Sequence, residues 1–246
     1  MLPEITGEEL TQVLDRCVAD LLDQQGIASP PVDALTLAMG LGMDVAWDAA
    51  QPGRARIVRL SRAARGGPQH AVLLRPEPRP ERIQWAVAHE IGESLAHRVF
   101  AELDMDPLAA PASAREQVAN QLAVRLLLPE EWFAADGAKC NWDLAALKQR
   151  YCTASHELIA RRMLDFPGAV VITIFDQGQA TFRRAFGGRS AGTLRPIEIA
   201  CRAAVHETSQ PARRTDDECI ARGWPVHEAD WKREILRLEW KDDGEC

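Results

Sequence analysis

No stretch of this 246-residue chain approaches the ~18 to 20 consecutive apolar residues of a membrane-crossing helix, so no membrane span is expected. Its opening, "MLPEITGEEL", is acidic and has neither the basic start nor the apolar run of a secretory signal. These two absences lead to the expectation of a cytoplasmic protein. Six cysteines stand at 17, 140, 152, 201, 219 and 246, and no two make a CxxC pair. They are expected to be buried or free thiols in a reducing compartment, with Cys152 among the buried ones. Lysine is missing from the first 135 residues, which hold 12 arginines against 19 acidic residues; the remainder holds 17 basic and 17 acidic residues. Neither part has the basic excess with which nucleic-acid binders neutralise phosphates, so no direct nucleic-acid partner is expected. Internal repeats and low-complexity tracts are also lacking.

What is present is an ordinary globular composition, 46% hydrophobic and 26% charged, in a chain long enough to bury a full core. Leu10, Val13, Leu14, Cys17, Val18, Leu21 and Leu22 recur at helical spacing, and Thr6 with Glu9 has the form of a capping box at their start. A short helix is expected over 32–39, then strands over 43–47, 57–60 and 70–75. Pro80 and Glu81 open a helix that runs through "WAVAHEIGESLAHRVF". A second apolar helix, "REQVANQLAVRLLLPEEWF", is stopped before Pro129. Two short helices broken near Cys152 follow, and then two β-rich runs flank Asp176-Gln177-Gly178 as a hairpin. Residues 187–246 read as a helix over about 196–206, loops, and a late amphipathic or strand segment at "WKREILRLEW". Trp85, Trp132, Trp224, Trp231 and Trp240 are expected to pack, not to bind ligands.

The chemistry is concentrated in "HEIGE". A helix turns ~100° and rises ~1.5 Å per residue, so His89 and Glu93 share one face about 6 Å apart, where two side chains can grip one ion. Glu90 lies a step round the helix, placed to act on a water at that ion without ligating it. The pattern is HExxE where a zinc peptidase has HExxH. A carboxylate still ligates zinc at ~2.0 to 2.2 Å, but its charge should weaken the ion's Lewis acidity. His97 cannot join, being ~12 Å further along the axis and ~80° round it. His156-Glu157 has no second ligand at either i+3 or i+4 and reads as an exposed helix start.

"RPERIQWAVAHEIGE" followed by "REQVANQLAVRLLLPEEWF" resembles the ImmA/IrrE family of bacterial metallopeptidases. Glu116, Ala119, Asn120, Ala123, Leu126, Leu127 and Pro129 are in register with the family's second helix. "PPVDALTLAMGLGMDV" is similar to its entry segment, so the resemblance spans roughly 28–134. It implies His89 as first metal ligand, Glu90 as general base, Glu116 as carboxylate ligand from the second helix, and Glu93 at the family's second-histidine position. It also implies a helix-turn-helix-like unit after the peptidase region.

The expected fold is α+β: a small zincin-like peptidase domain, helices on a short twisted sheet, over 1–135; a helix-turn-helix-like unit over 136–165; and a smaller α+β region over 166–246. The expected function is a metal-dependent endopeptidase, with Zn2+ as cofactor and Mn2+ or Fe2+ also compatible with one histidine and two carboxylates. By the resemblance, its partner is a protein or peptide substrate such as a transcriptional repressor. The alternative is a catalytically impaired relative acting as a protein-binding regulatory module. Carboxylates facing one another across a core are costly without a cation, which favours the enzyme. The strand at 70–75 is expected to present an edge to an extended substrate.

Overall fold

The structure, a computed structural model, describes residues 6–60, 69–186 and 191–241. The chain divides into two compact units, Met1–Lys139 with Gln149–Ser155, and Cys140–Lys148 with His156–Cys246.

In the first unit α1 (Gly7–Gln24) buries Val13, Leu14, Cys17, Val18, Leu21 and Leu22, the stripe that the 3.6-residue period dictates. Thr6 Oγ1 accepts from the Glu9 N–H at 3.1 Å and starts the helix. α2 (Ala34–Gly40) is capped by Asp33 Oδ1 on the Thr36 N–H. Gln84 ties that start to α3 (Pro80–Glu102): its Oε1 accepts from Ala34 N at 2.6 Å and its Nε2 donates to Asp33 Oδ2 at 2.9 Å. α3 is buried along most of its circumference, through Ala86, Val87, Ala88, Ile91, Gly92, Leu95, Ala96, Val99 and Phe100. α4 (Ala112–Leu127) packs along it, and α5 (Glu130–Lys139) follows Pro129, a helix not foreseen in the sequence.

β1 (Met43–Trp47), β2 (Ala55–Leu60) and β3 (Gln69–Leu74) form one sheet in the order β1-β3-β2. β3 pairs with β1 in parallel and with β2 in antiparallel. The expectation that residues 70–75 offer an edge to a substrate is therefore overturned. Ala71, Val72 and Leu74 are buried, and partners on both sides leave β3 no edge to offer. The free edge that matters is on β2. Arg75 N donates to Arg54 O at 2.9 Å, and antiparallel ladder bonds alternate along the strand. The Ile57↔Val72 pair thus falls between ladder bonds, with the Ile57 N–H turned outward.

Residues 136–165 hold two short helices, α6 (Leu144–Arg150) and α7 (His156–Arg162), and are shared between the units. The second unit is built on a five-stranded antiparallel sheet, order β5-β4-β8-β7-β6. β4 (Val170–Asp176) and β5 (Gln179–Ala185) make the expected hairpin; Gln177 and Gly178 both have positive φ, 48° and 84°, as a two-residue turn matched to strand twist requires. α8 (Pro196–Thr208) covers one face, closing a core of Val171, Phe175, Ile197, Cys201, Cys219, Ala221, Leu236 and Leu238.

β6 (Ala212–Thr215) and most of β7 (Cys219–Glu228) occupy what read as loops, while β8 (Trp231–Trp240) is the late segment resolved as a strand. Gly223 and Pro225 give β7 the sequence pattern of a loop. A Cβ at Gly223 would lie 2.7 Å from Leu236 and 2.8 Å from Val205, so glycine admits α8 there. Pro225 lies beyond the residues paired with β6, where a missing N–H costs no ladder bond. Trp224 is buried with its Nε1 donating to Asp143, but Trp231 is exposed. Cys152, expected to be buried, is exposed in the turn that ends α6. The architecture is mixed α/β with two separate sheets, and among the described residues no helix is long and apolar enough to cross a membrane.

Candidate metal centre

His89, Glu90 and Glu93 occupy the middle of α3, and Glu116 the start of α4. What brings the two helices together is Gly92. A Cβ built on it would stand 2.6 Å from the Ala119 carbonyl oxygen and 3.1 Å from its Cα, so the backbones touch only because no side chain intervenes. Glu93 and Glu116 flank that contact.

His89 Nε2 lies 3.7 Å from Glu93 Oε1 and 3.6 Å from Glu116 Oε2. One donor atom from each of the three lies within 4.8 Å of the others. Ligands bonded to one ion at ~2.0 to 2.2 Å sit about 3 to 3.5 Å apart, so the three need only small side-chain adjustments to hold a divalent cation. Asn120 organises them. Its Nδ2 donates to Glu116 Oε1 at 3.0 Å, which leaves Oδ1 to face His89 Nδ1 at 3.2 Å. An amide oxygen only accepts, so Nδ1 is the ring nitrogen that donates to Asn120, and Nε2 is the one left to face the carboxylates. The residues present fit a metal.

Glu90 is not part of this group. It is 6% exposed, and its Oε2 accepts from the outward-facing Ile57 N–H of β2 at 2.6 Å. Burial pushes its carboxyl above the ordinary range; the Ile57 N–H opposes this, and Glu93 and Glu116 push further up against the pull of His89. Glu93 and Glu116 face water instead, with side chains 44% and 56% exposed against 17% for His89. Of these carboxylates only Glu90 carries the cost of burial, so the expected pair of acids facing one another across a core is not formed: Glu116 lies at the surface.

His97 is exposed and turns its Nδ1 to Ser94 O at 2.8 Å, away from the group. Glu157 is engaged by Arg161 and Arg233, at 2.6 and 2.7 Å. Three contributors went unread in the sequence: Gly92 as the contact point, Asn120 as the bridge, and the Ile57 N–H. Asn120 did carry a signal, since it stands one helical turn from Glu116 on the same face. A backbone donor 33 residues from its acceptor carries none.

A long helix with HExxE, in close contact with a second helix that adds a carboxylate and beside a three-stranded sheet, defines a metallopeptidase-like fold. Residues 49–163 match the family model Peptidase_M78, the IrrE N-terminal-like domain. A solved structure described as a Mycobacterium tuberculosis transcriptional regulator is similar over 95% of this chain and 93% of its own, with a TM-score of 0.61 and 16% sequence identity. At that identity the likeness is one of fold. No curated protein matches the chain.

Proposed function

We propose that this protein is a metal-dependent endopeptidase acting on a protein substrate in the cytoplasm, of which a transcriptional repressor is the best example. The observation that carries the reading is the convergence of His89, Glu93 and Glu116 beside a buried Glu90. A divalent cation held there supplies Lewis-acid polarisation of a peptide carbonyl and makes water more acidic. The protein's own groups do the remainder. Ile57 N–H holds one oxygen of Glu90, leaving the other to take a proton from water and return it to the departing amine. A carboxyl raised by burial exchanges protons nearer neutrality, as a general base needs. Asn120 holds the His89 ring with Nε2 toward the carboxylates. The outer edge of β2, apart from the Ile57 N–H that Glu90 takes, is where an extended substrate pairs through main-chain hydrogen bonds, a role moved from β3. The peptidase domain is assigned to 1–135, followed by a helix-turn-helix-like unit over 136–165 and a C-terminal region over 166–246. The acidic balance of the first 135 residues supports a protein partner over a nucleic acid.

A second reading is favoured by Glu93 itself and by the regulator description of the structural neighbour: a relative with impaired catalysis that works by binding protein. Metal analysis of the purified chain and assay of Glu90→Gln separate the two. Stoichiometric metal with proteolysis abolished by Glu90→Gln supports the enzyme. Bound metal without proteolysis supports the binding module. Protein that takes up no metal from excess zinc or manganese ends the metallopeptidase reading.

A further inference from the structure

We propose that Glu93 sets the metal preference of the candidate site, turning it toward a hard, six-coordinate divalent cation of the manganese class and reducing its bias for zinc. This deepens the metal-dependent reading above and rests on it. Zinc's advantage over manganese comes from nitrogen and sulfur donors, whereas carboxylates and waters suit manganese, magnesium and calcium. Among the described residues the group offers one nitrogen and two carboxylates, and no further His, Cys, Asp or Glu joins it.

That composition is built in. Asn120 holds both His89 and Glu116, so neither is free to be exchanged for another donor. The nearest other histidine, His97, is turned to Ser94 O. Exposure agrees with donor type. His89 closes the inner side at 17% exposure, while Glu93 and Glu116, at 44% and 56%, leave the outer side to solvent. A catalytic zinc ion needs only one open position, whereas a cation that keeps several waters uses a wider opening such as this. Two anionic ligands with Glu90 adjacent also place more negative charge at the ion than a two-histidine site would.

The test is competitive titration of the full chain with ZnCl2 and MnCl2 against a chromophoric chelator, for wild type, Glu93→His and Glu93→Gln. The ratio of zinc to manganese affinity is expected to rise about tenfold or more in Glu93→His, as a nitrogen replaces an oxygen. In Glu93→Gln manganese affinity should fall at least as far as zinc affinity. Ratios equal within about twofold in wild type and Glu93→His overturn the proposal, as do metal affinities left unchanged by Glu93→Gln. Binding by Glu93→His but not by wild type also overturns it, since the glutamate would then have removed the site instead of retuning it. If none of the three proteins binds either ion, it is the metallopeptidase reading that falls.

Discussion

Gly92 and Ala119 meet backbone to backbone: a Cβ on the glycine would lie 2.6 Å from the alanine's carbonyl oxygen. This contact sets the separation of α3 and α4, and so the distance between Glu116 and His89. Gly92→Ala must push the helices apart, because the obstructing atom belongs to main chain and cannot rotate away. We expect a stability loss of about 1 to 3 kcal/mol, together with a metal affinity at least ~10-fold weaker, since ligation tolerates little displacement. Gly223→Ala is the control. Its crowding falls on Leu236 and Val205, buried side chains of the other unit, so it should cost a similar amount while leaving metal affinity alone. Thermal unfolding with metal titration reads both, and equal metal affinities in the two variants would contradict the role given to Gly92.

Asn120 touches two of the three metal-binding candidates and is not itself a donor to the group. Asn120→Ala frees the His89 ring and removes a donor from Glu116, so metal affinity should drop about 10- to 100-fold. Asn120→Asp keeps the acceptor for the ring N–H but loses the donor and adds a negative charge one turn from Glu116. Its affinity should fall between wild type and Asn120→Ala. Isothermal titration decides this; an alanine variant that binds as wild type does would remove Asn120 from the site.

Those two residues also mark how far the sequence could be read. Spacing along one helix is local, so His89, Glu90 and Glu93 were legible, as were the Thr6 cap of α1 and the Gln177-Gly178 hairpin turn. Glu116 needed the resemblance, because nothing in its own helix says which neighbour it faces. Strand order was not legible. "HAVLLR" has the same apolar run whether central or at a rim, and only the pairing of β1 and β2 decides. β7 was lost for a related reason. Its glycine makes room for α8 and its proline lies past the end of β6, and both purposes exist only in the assembled sheet.

In the second unit Glu198 is fully buried, and Arg183 is the side chain that neutralises it. Arg183 Nη1 donates to Glu198 Oε1 at 2.7 Å and to Thr173 Oγ1, and Nη2 donates to Glu198 Oε2 at 3.0 Å. Nη2 also reaches the Ala191 and Thr193 carbonyls, at 3.2 and 3.1 Å. Arg183→Met leaves a buried carboxylate without its counter-charge and should cost about 3 to 5 kcal/mol. Arg183→Lys should recover little of that, since one ammonium cannot reproduce the two-pronged contact. Denaturant unfolding followed by far-UV dichroism measures it, and a loss under about 1 kcal/mol would remove Arg183 from the role of counter-charge to Glu198.

The bond from Ile57 N–H to Glu90 Oε2 makes a further prediction, because register separates two neighbouring positions on β2. The Ile57 N–H faces outward to Glu90, whereas the Val58 N–H, one residue on, points into the ladder toward Ala71. Ile57→Pro deletes a donor to a buried carboxylate and leaves the ladder whole; Val58→Pro breaks a ladder bond and leaves Glu90 satisfied. Both should destabilise, but only the loss at 57 should depend on the carboxylate. In a double-mutant cycle with Glu90→Ala, Ile57→Pro should therefore show a coupling of about 1.5 to 3 kcal/mol, the range for hydrogen bonds to a charged group. Val58→Pro should show almost none. A coupling below about 0.5 kcal/mol at Ile57 would mean that this edge does not hold Glu90, and the placement of the general base against β2 would have to be abandoned.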